Sequence, residues 1–152
     1  MTPIKLINPT DEELSAAVAE HLTGAAFWAE TRGEYTLAVM HDAARPPWQH
    51  WDIKEVERNK PRYRRITGQE AVRMGFFGRG APDYATSADA VLPLLEKTKG
   101  IWEMRCDNEP TTGWHWQIDN EQLEVCGCAD TLAKAICIAL LRAAGHTVEM
   151  KP

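Results

Sequence analysis

The 152-residue chain lacks most of the signatures that assign a protein its task at sight. No serine elbow, phosphate-binding Walker loop or paired-histidine zinc sequence is present, which excludes the common motif-borne hydrolase and nucleotidase chemistries. Internal repeats and low-complexity tracts are absent, so the repeat pattern of a solenoid is missing as well. The only apolar run near the start, within "MTPIKLINPT", is broken by proline and is too short to target or span a membrane. Net positive charge is missing too. The formal charge is −5, which argues against a general nucleic-acid or membrane-surface binder, because phosphate binding relies on a basic field. Cysteine is scarce at four residues, Cys106, Cys126, Cys128 and Cys137. Cys126 and Cys128 are separated by one residue, not the two to four of a structural zinc site, and the four are expected to be reduced, mostly buried thiols, those of 126 and 128 packed between sheet and helix, with no metal and no cofactor.

What is present has the size of one domain, residues 1–152, with 44% hydrophobic and 26% charged residues. Thr10 followed by Glu13 reads as a capping box ahead of Leu14, Ala17, Val18, His21 and Leu22 at helical spacing, with Gly24 as the stop. "GEYTLAVMH" alternates as a strand. Thr67 and Glu70 repeat the capping box before "GQEAVRM", and Thr86 or Ser87 opens a helix in which Pro93 predicts a kink or a late start. In the last third, "IWEMRCD", "GWHWQID" and "QLEVC" predict an antiparallel meander with a tight turn at Asp119 and Asn120. Trp102, Met104 and Cys106, then Trp114, Trp116 and Ile118, fall on its apolar face. "ADTLAKAICIALLRAAG" predicts the helix that covers it. Together these elements give a mixed α+β fold with a mainly antiparallel sheet covered by helices.

The middle of the chain is unusual. Lys54, Arg58, Lys60, Arg62, Arg64, Arg65, Arg73 and Arg79 are eight of the 17 basic residues. In "RPPWQHWD", Asp52 and Glu55 form another capping box, and Trp51 with Val56 forms a hydrophobic staple, which gives Trp51 a structural reason and leaves Trp48 and His50 without one. "GFFGRGAPDYATS" reads as a glycine-broken loop that follows a helix, so it is not a dinucleotide fingerprint. Arg62, Arg64 and Arg65 around Tyr63 can grip phosphate or carboxylate while Tyr63, Trp48 or Phe77 stacks on a base. The candidate binding set is therefore Trp48, His50, Arg62, Tyr63, Arg64, Arg65, Phe77 and Arg79, weighed against a solvated charge run that Glu55 and Glu57 partly neutralise.

"TDEELSAAVAEHLTG", "YATSADAVLPLLEK" and the tryptophan-rich hairpin before Ala129, Asp130, Thr131, Leu132, Ala135, Ile136 and Cys137 resemble, in that order, the phage ABA sandwich domain, a family of small phage and prophage proteins. The resemblance covers roughly two thirds of a single-domain chain, and residues 45–80 stand out as a basic elaboration. It implies a three-layer α/β/α sandwich, origin in a phage genome and action in the bacterial cytoplasm; it carries no catalytic residues across. The expectation that follows is a non-enzymatic accessory protein whose central segment binds a nucleotide, a nucleic acid or an acidic host-protein surface, such as a component of an anti-phage defence system. Two alternatives stand beside it: an enzyme acting on a nucleotide or nucleic acid through His50 or His115 and an acidic residue, and a protein that pairs with itself through exposed aromatics.

Overall fold

A computed structural model describes residues 3–30, 36–40, 62–74, 83–111 and 113–151. The chain divides into two compact units, residues 16–82 and residues 1–15 with 83–152. Each is mixed α/β, and the described sheets are mostly antiparallel. No helix among the described residues is long and apolar enough to cross a membrane.

The boundary between the units falls inside the first helix, α1 (Asp11–Leu22). Its capping box forms as the sequence predicts: Thr10 Oγ1 accepts from the Glu13 N–H at 3.2 Å, and Glu13 Oε1 accepts from the Thr10 N–H at 3.2 Å. Gly24, at φ +77°, lets the chain turn out of the helix.

In the central unit the strands β2 (Ala25–Glu30), β3 (Thr36–Met40) and β4 (Tyr63–Ile66) lie in the order β3-β2-β4, both pairings antiparallel. The strand at 36–40 is the one expected from alternation. β2, "AAFWAE", has no alternation of polar and apolar residues to announce it, because Ala25, Ala26, Phe27 and Ala29 are all buried. β4 is also new: part of the basic run "PRYRR" is a short strand, with Tyr63 and Ile66 buried and Arg64 and Arg65 exposed between them. It leads into α2 (Gly68–Arg73), whose Thr67–Glu70 capping box is present in full. Gly68 suits a close approach: a Cβ there would lie 3.1 Å from the Ala16 carbonyl oxygen and 3.3 Å from the Phe27 ring, so these neighbours would have to give by a few tenths of an ångström. The helix expected after Asp52, with its Trp51 staple, and the loop at 75–80 lie outside the described residues.

The other unit holds α3 (Ala88–Glu96), the meander β5 (Glu103–Glu109), β6 (Gly113–Asn120) and β7 (Val125–Ala129), and the long helix α4 (Leu132–Ala143). A parallel pair, β1 (Lys5–Ile7) with β8 (Thr147–Glu149), completes it. Ser87 caps α3, and Pro93 sits within the helix, not ahead of it. Thr131 caps α4, in which Ala135 to Leu141 are all buried, so its apolar surface is wider than a single stripe.

Two sequence expectations shift here. Asp119 and Asn120 are the last residues of β6, not its turn, and the third strand begins at Val125, so Gln122 to Glu124 belong to the connection. The cause is Asn120. Fully buried, it donates from Nδ2 to the Lys99 carbonyl at 3.0 Å and accepts at Oδ1 from the Leu123 N–H at 3.1 Å, which ties the residues leading into β5 to a four-residue turn after β6. Glu124, at φ +54°, closes that turn.

Register then assigns the two faces of the meander. Ile118 pairs with Gly127 and Met104, and Trp116 with Cys106 and Ala129. α4 packs on this face, closest over β7. Gly127 makes that approach possible, because a Cβ there would run into the Ala135 carbonyl oxygen and lie 2.7 Å from the Ala139 nitrogen.

Candidate functional site

The arginine-bearing strand of the central unit is the described part of the expected binding segment. Adjacent strand positions face opposite ways, so β4 sends Arg64 and Arg65 to opposite sides of the sheet. Arg65 pairs across the ladder with Trp28, and its guanidinium lies over the indole at 5.7 Å from the ring centroid. Arg62, one residue ahead of the strand, lies over the Tyr63 ring at the same distance. Tyr63 and Arg65 share a face by alternation, so Arg62 and Arg65 both rest on the aromatic side chains of that face. Arg64 is on the other side, 3.9 Å from Glu70 Oε2, in a pair whose members are about half exposed. The three arginines expected on one surface therefore divide two to one. Trp48, His50, Phe77 and Arg79 lie outside the described residues.

Behind this strand is a carboxyl group that the sequence reading did not single out. Glu20 Oε1 accepts from the Gly68 N–H at 3.1 Å and lies 3.3 Å from His21 Nε2. Burial raises the Glu20 pKa above its ordinary value; the Gly68 hydrogen bond and the positive charge of Arg65 oppose that rise. Burial also lowers the His21 pKa from its ordinary 6.5, so its contact with Glu20 at neutral pH involves an uncharged imidazole. Arg65 thus serves two carriers of electron density, the Trp28 ring and, at longer range, the Glu20 carboxylate.

A second polar surface lies on the meander, on the face turned away from α4. Gln117 Nε2 donates to both Asp119 oxygens at 3.2 and 3.0 Å, and Arg105 reaches Asp119 Oδ2 at 3.6 Å. Cys126 and Cys128 stand across from Asp119 and Gln117 in register. The expectation of thiols packed between sheet and helix is corrected for this pair: since Gly127 must face α4, its neighbours face away, and Cys126 is exposed while Cys128 is half-buried. Cys106 is also half-buried, and of the four only Cys137, on α4, is buried; its surroundings hold its thiol far above the ordinary range. Glu103, Arg105, Asp119, Glu121, Glu124 and Cys126 line a shallow cavity of about 460 Å³. No three His, Cys, Asp or Glu side chains among the described residues converge as a metal site.

His115 falls on the same polar face, as alternation predicts, half-buried and opposite Asp107 in register. Sequence reasoning missed Trp28 as the seat of Arg65. The signal was present in "AAFWAE", whose aromatic pair suits a strand, but nothing in one dimension tells which distant residue a buried strand will lie beside. No protein-family model matches the chain, and no curated protein or solved structure matches it either.

Proposed function

We propose that this chain is a non-enzymatic binding protein that seats an anionic partner on the Arg62–Arg65 face of β4. One observation carries the reading: Arg62 and Arg65 are exposed, and each lies over an aromatic ring of the same face. A ring orients a guanidinium without neutralising its charge, and an oriented guanidinium can pair with a phosphate or carboxylate by bidentate bonds. Arg64, on the far side, adds to the local positive field. Its exposed pair with Glu70 is worth only about 0–1 kcal/mol, which makes it easily exchanged. A nucleotide, a single-stranded nucleic acid and an acidic protein face all supply the anionic groups these arginines pair with; Tyr63, buried beneath Arg62, is a seat for the guanidinium and not the base-stacking surface that the sequence suggests.

The resemblance to the phage ABA sandwich family extends this proposal. It supplies a phage origin, a site of action in the bacterial cytoplasm, a three-layer sandwich and, as partner, a component of a host defence system. Trp48, His50, Phe77 and Arg79 belong to the proposed binding set on sequence grounds alone. Native mass spectrometry of protein isolated from expressing bacterial cells tests the reading. The expected result is a retained nucleotide, oligonucleotide or stoichiometric acidic protein that dissociates as salt is raised. A chain that is recovered bare at low salt contradicts it.

A further inference from the structure

Among the described strands, β5 lies at the edge of its sheet. Among the described residues it pairs only with β6, and its seven residues from Glu103 to Glu109 are exposed save Cys106, which is half-buried. An edge of this length offers a row of backbone N–H and C=O groups to another strand. Beside it the apolar face of the meander extends past the cover of α4: Trp114 is 61% and Met104 43% exposed.

We propose that β5 pairs with β5 of a second copy of this chain, antiparallel about a two-fold axis at Cys106, joining two three-stranded meanders into one six-stranded sheet. A two-fold interface requires a self-complementary strand, in which each residue faces the residue equally far from the axis on the other copy. β5 meets that requirement where it counts. Cys106 is its midpoint, so all seven residues find a partner. Arg105 of each copy faces Asp107 of the other, giving two opposed charge pairs on the polar face. A pairing centred one residue to either side would instead set Arg105 against Arg105 or Asp107 against Asp107. Centring on Met104 would keep only three strand residues paired and run the rest into Ile101 and Trp102.

The charges then form a ladder across four strands, since His115 already faces Asp107 and Gln117 faces Arg105 within each copy. On the apolar face the row Trp116–Cys106 meets its own image. Met104 of one copy comes beside Asn108 of the other, the residue that faces Trp114, so the two exposed apolar patches merge into one strip. The two Glu103–Glu109 oppositions fall at the outer ends of the pairing, where solvent screens them.

The test is a charge swap read by sedimentation over a concentration series, using the full chain, with R105D, D107R and R105D/D107R. The wild type is expected to be dimeric, each single variant to dimerise at least about tenfold more weakly, and the double variant to recover to within about threefold, as expected for opposed charge pairs. Circular dichroism of each variant checks that the fold is kept. In a C126S/C128S background, which removes the other accessible thiols on this unit, a short bismaleimide should join Cys106 to Cys106 without further substitution. A wild type that stays monomeric throughout the series overturns the proposal. So does a dimer that D107R leaves as strong as before, or one that the bismaleimide does not link through Cys106.

Discussion

His21 and Glu20 are neighbours in sequence and in space, and burial acts on both in the direction that disfavours charge. For His21 the folded pKa lies below the unfolded value. The unfolded chain therefore takes up a proton first as pH falls below 6.5, and the stability contributed by the neutral, buried imidazole is lost as pH drops through the lowered folded value. Glu20 has the opposite sign: its contribution is full below its ordinary 4.5 and is lost as pH rises through the raised folded value. Urea unfolding from pH 7.5 down to 5 should show wild-type stability declining below about pH 6.5 by more than an H21N variant declines. Parallel profiles would mean that His21 is not held neutral by its burial. The arginines are a similar lesson at residue scale. The run "PRYRR" shows its charge plainly, but whether Arg64 and Arg65 act together depends on strand alternation and on Trp28, more than thirty residues away in sequence.

Among the elements, those with local chemistry were legible and those defined by their neighbours were not. Both described capping boxes, the Ser87 cap and the apolar breadth of α4 all follow from short-range patterns that the structure reproduces. β2 escaped because a strand buried on both faces lacks alternation, and β1 and β8 escaped because three residues hold no period. The end of β6 was misplaced because Asn120, a residue typical of turns, here spends its side chain bracing two connections from inside the strand. Gly127 shows how one missing side chain orders a whole layer. Gly127→Ala should cost about 1–3 kcal/mol, at the upper end because the obstructing atoms are backbone of α4 that cannot rotate aside. Thermal unfolding read by calorimetry checks this, and a variant as stable as wild type would show that β7 and α4 are not in the close contact described.

For the molecule as a whole, the charge is negative while eight of its basic residues crowd the centre of the sequence. That asymmetry marks the central segment as a candidate for binding without indicating a ligand. In the fold, two guanidinium groups stand over aromatic rings on one face of β4 and the third turns the other way. If that face seats a polyanion, each arginine that contacts a phosphate displaces counterions and adds about 0.7 to the salt slope for a single strand. The measurement is fluorescence anisotropy of a labelled single-stranded oligonucleotide at several salt concentrations, comparing wild type, R64A and R62A/R65A. The account requires wild-type binding that weakens steeply with salt, a slope shallower by about 1.4 in R62A/R65A, and a smaller change in R64A. A folded R62A/R65A variant that binds with the wild-type affinity and slope would contradict it.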